Sequence, residues 1–175
     1  CGTAGSQCSW FDNSSWDPTI SYLSSSTFSE GYSHTQGQNN WYYQYYDGSY
    51  GNLTWDSGSS KWKRNGGSPV IGGAWFMLPG NDADVVIKWV APQAGTVSIV
   101  GTVTHTNAGG GDGLKPKIVQ NSTELWSATV GNGGNASHNE TTTVAAGDAL
   151  YFIVTWGTPG RQGKWVGHRR WGPTV

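Results

Sequence analysis

Charge is scarce in this chain: Asp, Glu, Lys and Arg make up 12% of its 175 residues, about half the share of an average soluble protein. Ten Lys and Arg stand against eleven Asp and Glu, so no basic stripe exists to neutralise phosphates and nucleic acid is not expected as a partner. The cluster His168-Arg169-Arg170 is too short to alter that. Long apolar runs are missing too. A stretch such as Ala149-Leu150-Tyr151-Phe152-Ile153-Val154 has strand length and falls well below the roughly 18 residues of a membrane-crossing helix. Helical periodicity is absent. No initiator methionine or signal-peptide pattern opens the chain, which therefore reads as a mature or excised part of something longer.

Catalytic apparatus is lacking as well. A glycosidase needs two carboxyl groups flanking the scissile bond, yet Glu is confined to Glu30, Glu124 and Glu140, and neither Glu30 in a Ser/Thr-rich stretch nor Glu124 beside a turn has an inviting setting. No Gly-x-Ser-x-Gly elbow occurs. His34, His105, His138 and His168 show no zinc spacing and no neighbouring thiolates. The chain is expected not to be an enzyme and to need no cofactor. Ca²⁺ is the one ion with a candidate ligand, Asp112 in Gly109-Gly-Gly-Asp-Gly113, although a lone Asp in such a loop more often serves a turn. Asn81-Asp82-Ala83-Asp84 is a second oxygen-rich turn of the same kind.

What is abundant is glycine (27 residues) and tryptophan (11 residues). From Trp41 onward, short runs of Val, Ile, Thr, Tyr and Trp alternate with Gly, Asn, Asp and Ser, the signature of strands and turns. Strands are predicted over Trp41 to Tyr46, Leu53 to Asp56, Val85 to Val90, Thr96 to Thr106, Lys115 to Gln120, Glu124 to Val130, Thr141 to Val144, Ala149 to Trp156 and Arg169 to Val175. Asn121-Ser122 and Ala146-Gly147-Asp148 supply turns. The fold class is all-β, a β-sandwich of jelly-roll type.

The chain's ends are alike. Residues 1–20 align without a gap on residues 156–175, sharing Gly2/Gly157, Thr3/Thr158, Gly5/Gly160, Gln7/Gln162, Trp10/Trp165, Trp16/Trp171, Pro18/Pro173 and Thr19/Thr174. The offset of 155 residues is the size of a sandwich, so a tandem array cut out of register is the simplest account. Residues 1–22 then form a closing β-hairpin, residues 23–30 a linker, and residues 31–175 the module. An isolated hairpin cannot bury its apolar face. Through Trp10, Trp16, Pro18 and Ile20 it is expected either to dock on its own domain or to add to a neighbouring copy, the second route giving head-to-tail fibres.

Secretion is expected from two signals. Sequons begin at Asn13, Asn52, Asn121, Asn135 and Asn139, where attached glycans could project into solvent. Cys1 and Cys8 could close a small disulfide loop; two free thiols or a bond to another chain are the alternatives.

The run from Tyr32 to Tyr46, with Ala91-Pro-Gln-Ala-Gly-Thr-Val-Ser-Ile-Val-Gly101, Gly109 to Gly113, Glu124-Leu-Trp-Ser-Ala-Thr-Val130, Ala145-Ala-Gly-Asp148 and the closing Trp-x-Pro-Thr, resembles the non-catalytic β-sandwich modules attached to secreted polysaccharide-degrading enzymes. The resemblance covers Tyr32 to Val175 and implies a jelly roll and a carbohydrate-binding role. The terminal copy departs from the usual Trp-Asp-Pro-Thr close, with Gly172 where the first copy has Asp17.

A sugar site needs flat aromatic faces with amides and carboxylates beside them. Trp41, Tyr43 and Tyr45 share one side of their strand, and Tyr42, Gln44 and Tyr46 share the other. The first set, with Trp55 and Trp62, is the candidate platform, the alternative being that one set is core; Trp75 shares that ambiguity. Trp89 and Trp126 are expected in the core. Two functions follow: a glycosylated extracellular repeat unit that assembles with copies of itself, or a polysaccharide-binding module of a larger secreted protein.

Overall fold

The computed structural model describes residues 27–106 and 112–157, and residues 169–170 as backbone. Cys1, Cys8, Trp10, Asn13, Trp16, Pro18 and Ile20 lie outside them, and with these the expected disulfide, the expected hairpin and the assembly role assigned to it; so does Gly109-Gly110-Gly111.

A single helical turn opens the described chain, α1 (Phe28–Gly31), capped where the Thr27 hydroxyl accepts from the Glu30 amide at 3.2 Å and donates to the Glu30 carboxylate at 2.7 Å. Strands follow as β1 (Trp41–Tyr46), β2 (Tyr50–Asn52), β3 (Thr54–Asp56), β4 (Lys61–Arg64), β5 (Gly67–Gly72), β6 (Phe76–Leu78), β7 (Asp84–Val90), β8 (Gly95–His105), β9 (Leu114–Gln120), β10 (Thr123–Ser127), β11 (Asn135–Val144), β12 (Ala149–Trp156) and β13 (Arg169–Arg170). They form two antiparallel sheets, one ordered β10-β9-β12-β7-β1-β2 and the other β11-β8-β13-β6-β5-β4-β3. The apolar faces meet in one core, so the fold is a β-sandwich.

Alternation decides each strand's inner side. In β8, Val97, Ile99, Gly101, Val103 and His105 are buried while the residues between them are partly exposed. β7 and β12 are central, and their outward residues Val86 and Ile153 are buried as well. The predicted turns close as expected and are tied to each other. Asn121 sits at φ 53° and Gly147 at φ 90°, and the Asp148 carboxylate accepts from the Ala145 amide (2.9 Å), the Asn121 side chain (2.9 Å) and the Gln120 side chain (3.2 Å). These donors, the Ala145 amide foremost, hold the Asp148 carboxyl below its usual range.

Three expectations are corrected. Residues 27–30, read as the end of a linker, are packed structure: Phe28 is 1% exposed and lies edge-on to Trp41 with ring centroids 5.2 Å apart. β11 begins at Asn135 rather than Thr141: ten consecutive pairings with β8 carry a polar stretch of low strand preference into the sheet. Trp126 is half-buried because the β9–β10 register shifts between Glu124 and Trp126, leaving its ring against His138 at 5.1 Å. Trp89 is buried as expected.

Candidate functional site

Strand β1 is aromatic on both sides, and its inner set is Trp41, Tyr43 and Tyr45. Trp41 is fully buried, against a backbone so close that a Cβ on Gly31 would lie 2.3 Å from Trp41 Cδ1. Tyr43 is equally buried and stacks on Trp62 at 4.4 Å and 10°. Its hydroxyl accepts from the Ser33 amide at 2.5 Å, the Trp62 indole donates to the Ser33 carbonyl at 3.1 Å, and burial pushes the phenol pKa up. Gln36 lies beside the strand, accepting from the Tyr43 amide (2.9 Å) and donating to the Tyr43 and Leu53 carbonyls (2.8 and 3.0 Å). Trp41, Tyr43 and Trp62 are therefore core, and a ring with no exposed face cannot stack on a ligand.

Tyr45 and Trp55 are half-buried. The Arg64 guanidinium lies 4.4 Å over the Tyr45 ring, held there by Asp47 (2.6 Å) and Asp82 (3.0 Å), and a Cβ on Gly51 would come within 2.3 Å of Tyr45 Cζ. Trp55 carries the His34 imidazole on one face at 3.9 Å and meets Trp62 edge-on at 5.6 Å. Of the five predicted platform residues, Trp41, Tyr43 and Trp62 are thus enclosed in the core, while Tyr45 and Trp55 keep part of their surface but are each covered on one ring face. Trp75 is 55% exposed and stands in the β5–β6 connection.

The open aromatic surface is the other parity of β1. On the outer face of the six-stranded sheet, Tyr42 pairs with Lys88 and Lys88 with Tyr151; Asn52 pairs with Gln44, Gln44 with Val86, Val86 with Ile153 and Ile153 with Lys117; Tyr50 pairs with Tyr46 and Tyr46 with Asp84. Residues paired across strands share a face, so these rows form one surface. Tyr46 and Tyr50 are 4.9 Å apart, and Tyr50 stacks on Tyr151 at 4.4 Å and 18°. Tyr50 leaves β2 and Tyr151 leaves β12, with β1 and β7 between them, so both rings lean over the outward side chains of Gln44 and Val86. That explains why Val86 (0%), Ile153 (2%) and Gln44 (7%) are buried while pointing away from the core.

Polar groups stand among these rings. Lys88 Nζ lies 4.3 Å over the Tyr42 ring, and its burial lowers its pKa. Burial raises the Asp84 carboxyl, against a hydrogen bond from Thr155 and the nearby Lys117. Gln44 donates to the Asn52 side-chain oxygen at 2.8 Å. Burial, and then the neighbouring Tyr151, Tyr46 and Asp84, raise the Tyr50 phenol, and burial raises Tyr151. In the oxygen-rich turn, Asp82 pairs with Arg64 at 3.0 Å while Asp84 is hydrogen-bonded by Thr155. Asp112 is half-buried, and among the described residues no group of three or more His, Cys, Asp or Glu gathers around a point that could hold a metal.

Of the described sequons, Asn135 and Asn139 are exposed on edge strand β11, on the side opposite buried His138. Asn121 has its amide committed to Asp148 and to the Ala149 amide. Asn52 lies on the tyrosine face itself. Among the described residues no helix is long and apolar enough to cross a membrane.

No protein-family model matches the chain, and no curated protein matches it. Among solved structures, an isomalto-dextranase of Arthrobacter globiformis T6 in complex with panose aligns at 18% identity with a TM-score of 0.32, over 74% of this chain and 22% of that one. The chain thus spans under a quarter of that protein's length.

Proposed function

We propose that this β-sandwich is a non-catalytic polysaccharide-binding module acting outside the cell, and that its binding surface is the outer face of the six-stranded sheet. The observation that carries this reading is the continuous tyrosine array Tyr46–Tyr50–Tyr151 with Tyr42 beside it, on an open sheet face already dotted with Lys, Asp and Asn side chains. Aromatic faces hold the C–H surfaces of pyranose rings while neighbouring polar groups meet the hydroxyls. The resemblance of the sequence to accessory modules of polysaccharide-degrading enzymes supports the same reading.

Spacing supports the non-catalytic reading of this face: Asp84 shares it with Glu124 of β10, which pairs with Val119 of β9, and three strand spacings put the two carboxyls about 14 Å apart across the sheet alone, beyond the roughly 5–9.5 Å of a glycosidase pair. Head-to-tail assembly draws no support from the described fold, since it depends on residues 1–22.

The test is retention of the full chain on a panel of insoluble and gel-embedded polysaccharides, comparing wild type with Tyr50→Ala and Tyr151→Ala. Binding by the wild type that both substitutions weaken at least tenfold, with folding intact by circular dichroism, supports the reading. Binding unchanged in both variants would place the ligand elsewhere, with exposed Trp75 the next candidate.

A further inference from the structure

The charges on the tyrosine face are unequal: Lys88, Lys115 and Lys117 stand against Asp84 and Glu124. Lys88 sits in its centre, between Tyr42 and Tyr151, while Lys117 and Lys115 follow on β9, opposite Ile153 and Thr155. Among the described residues the ion pairs are Lys63–Asp56, Arg64–Asp47 and Arg64–Asp82, none of them formed by these three lysines. Lys88 is half-buried, its ammonium resting on a ring rather than against a carboxylate. Asp84 is hydrogen-bonded by Thr155 and lies near enough to Lys117 to offset one of the three lysines, and Glu124 stands on the far edge strand with the Ser127 hydroxyl donating to it at 2.6 Å. The centre of the face therefore carries more positive than negative charge, in a chain whose overall formal charge is −1.

Neutral sugars need no such arrangement. An ammonium withdrawn from water onto an aromatic ring is strengthened by an approaching anion, because both ion and ring sit where water screens poorly. From these positions, and resting on the binding face proposed above, we infer that the ligand is a polysaccharide bearing anionic groups, its rings stacked on Tyr46, Tyr50 and Tyr151 and its carboxylates or sulfates set against Lys88 and Lys117. Two strand spacings separate the two lysines, about 10 Å across the sheet, so they address groups on different sugar residues of one chain.

The experiment uses the full chain in affinity electrophoresis through gels of polygalacturonate, fully methyl-esterified polygalacturonate and a sulfated galactan. Polygalacturonate and its ester share a backbone and differ in charge. The expected result is retardation by a charged polymer, lost at least tenfold on esterification in the carboxylate case, weakened at least fivefold by Lys88→Met, restored by Lys88→Arg, and reduced as salt rises from 20 to 500 mM. Retardation by the sulfated polymer alone keeps the inference and assigns sulfate as the anion. Equal affinity for the esterified and free polymers, or a Lys88→Met variant that binds like wild type, overturns it while leaving a glycan face in place, provided Tyr50→Ala still abolishes binding. No retardation by these or by neutral polysaccharides, with the fold intact, overturns the binding-face reading itself.

Discussion

If Tyr50 and Tyr151 stack across two intervening strands, their contact should be measurable as a coupling rather than as two independent losses. Tyr50 is 40% exposed, so truncation to Ala removes about three-fifths of the contact of a fully buried ring; scaling the roughly 3–5 kcal/mol cost of removing such a ring gives about 2 kcal/mol. The Tyr151→Ala variant should cost a similar amount, since it uncovers the outward-facing Val86 and Ile153. The double variant should cost less than the two losses together by about 0.5–1.5 kcal/mol, the range found for aromatic pairs. A domain with an ordinary stability of about 5–15 kcal/mol survives each change, which keeps binding measurements on the variants interpretable. Urea unfolding followed by tryptophan fluorescence on all four proteins closes the cycle. A coupling indistinguishable from zero would mean that the rings do not rest on each other in solution, and the argument for a preformed aromatic surface would fail with it.

Gly101→Ala should destabilise by about 1–3 kcal/mol, because the new Cβ would lie 2.2 Å from Nε2 of His138, a side chain buried across the β8–β11 pair; a urea midpoint within error of wild type would refute the close approach. Trp41→Ala should cost about 3–5 kcal/mol and show as a loss of soluble protein and thermal stability, whereas a stable variant with impaired glycan binding would return Trp41 to the surface. Asp84 has its folded pKa raised by burial, so the folded state binds the extra proton and stability falls as pH rises from the unfolded value of 3.8 through the folded one. Asp84→Asn should therefore raise the urea midpoint at pH 7 and lose that advantage below pH 3.8, and equal midpoints at pH 7 would show the carboxyl to be well solvated. Asp56 behaves oppositely: hydrogen bonds from Lys63 and Ser59 draw it down to about 2, so its contribution is present above 3.8 and fades as pH falls toward 2, a loss that Asp56→Asn should abolish in an acid titration.

The sandwich was legible because strand rhythm and turn chemistry agree over most of the chain, as in β8, β12 and the Asn121 and Gly147 turns. What escaped was β2, β4, β5 and β6: β2, β4 and β6 are only three or four residues long, and β5 carries Pro69 between glycine ends. Such segments become strands because neighbours offer them hydrogen-bond partners, a tertiary effect that propensity does not record. Phe28 escaped for a related reason: one aromatic among serines and threonines gives no period, yet Gly31 brings the backbone close enough to Trp41 for that ring to be enclosed.

Which side of β1 faces the core was the part of the candidate platform that alternation left open. Trp-Tyr-Tyr-Gln-Tyr-Tyr puts aromatics on both sides of β1, and alternation alone does not say which side faces in; a shift by one exchanges core and surface wholesale. One residue in the run does discriminate. Gln44 carries an amide with two donors and an acceptor, which the apolar centre of a sandwich cannot satisfy, and it shares parity with Tyr42 and Tyr46. Its place on the outer row, donating to Asn52, assigns the Tyr42, Gln44 and Tyr46 set to the surface and Trp41, Tyr43 and Tyr45 to the inside. Tyr50 and Tyr151 follow only from the register, since the residues that complete the face lie 101 positions apart in sequence and meet because β7 and β1 hold β12 and β2 at a fixed spacing. A face built in that way depends on the sheet's register as much as on its rings, so a one-residue slip of β2 against β1 would withdraw Tyr50 from the array without removing any aromatic from the protein.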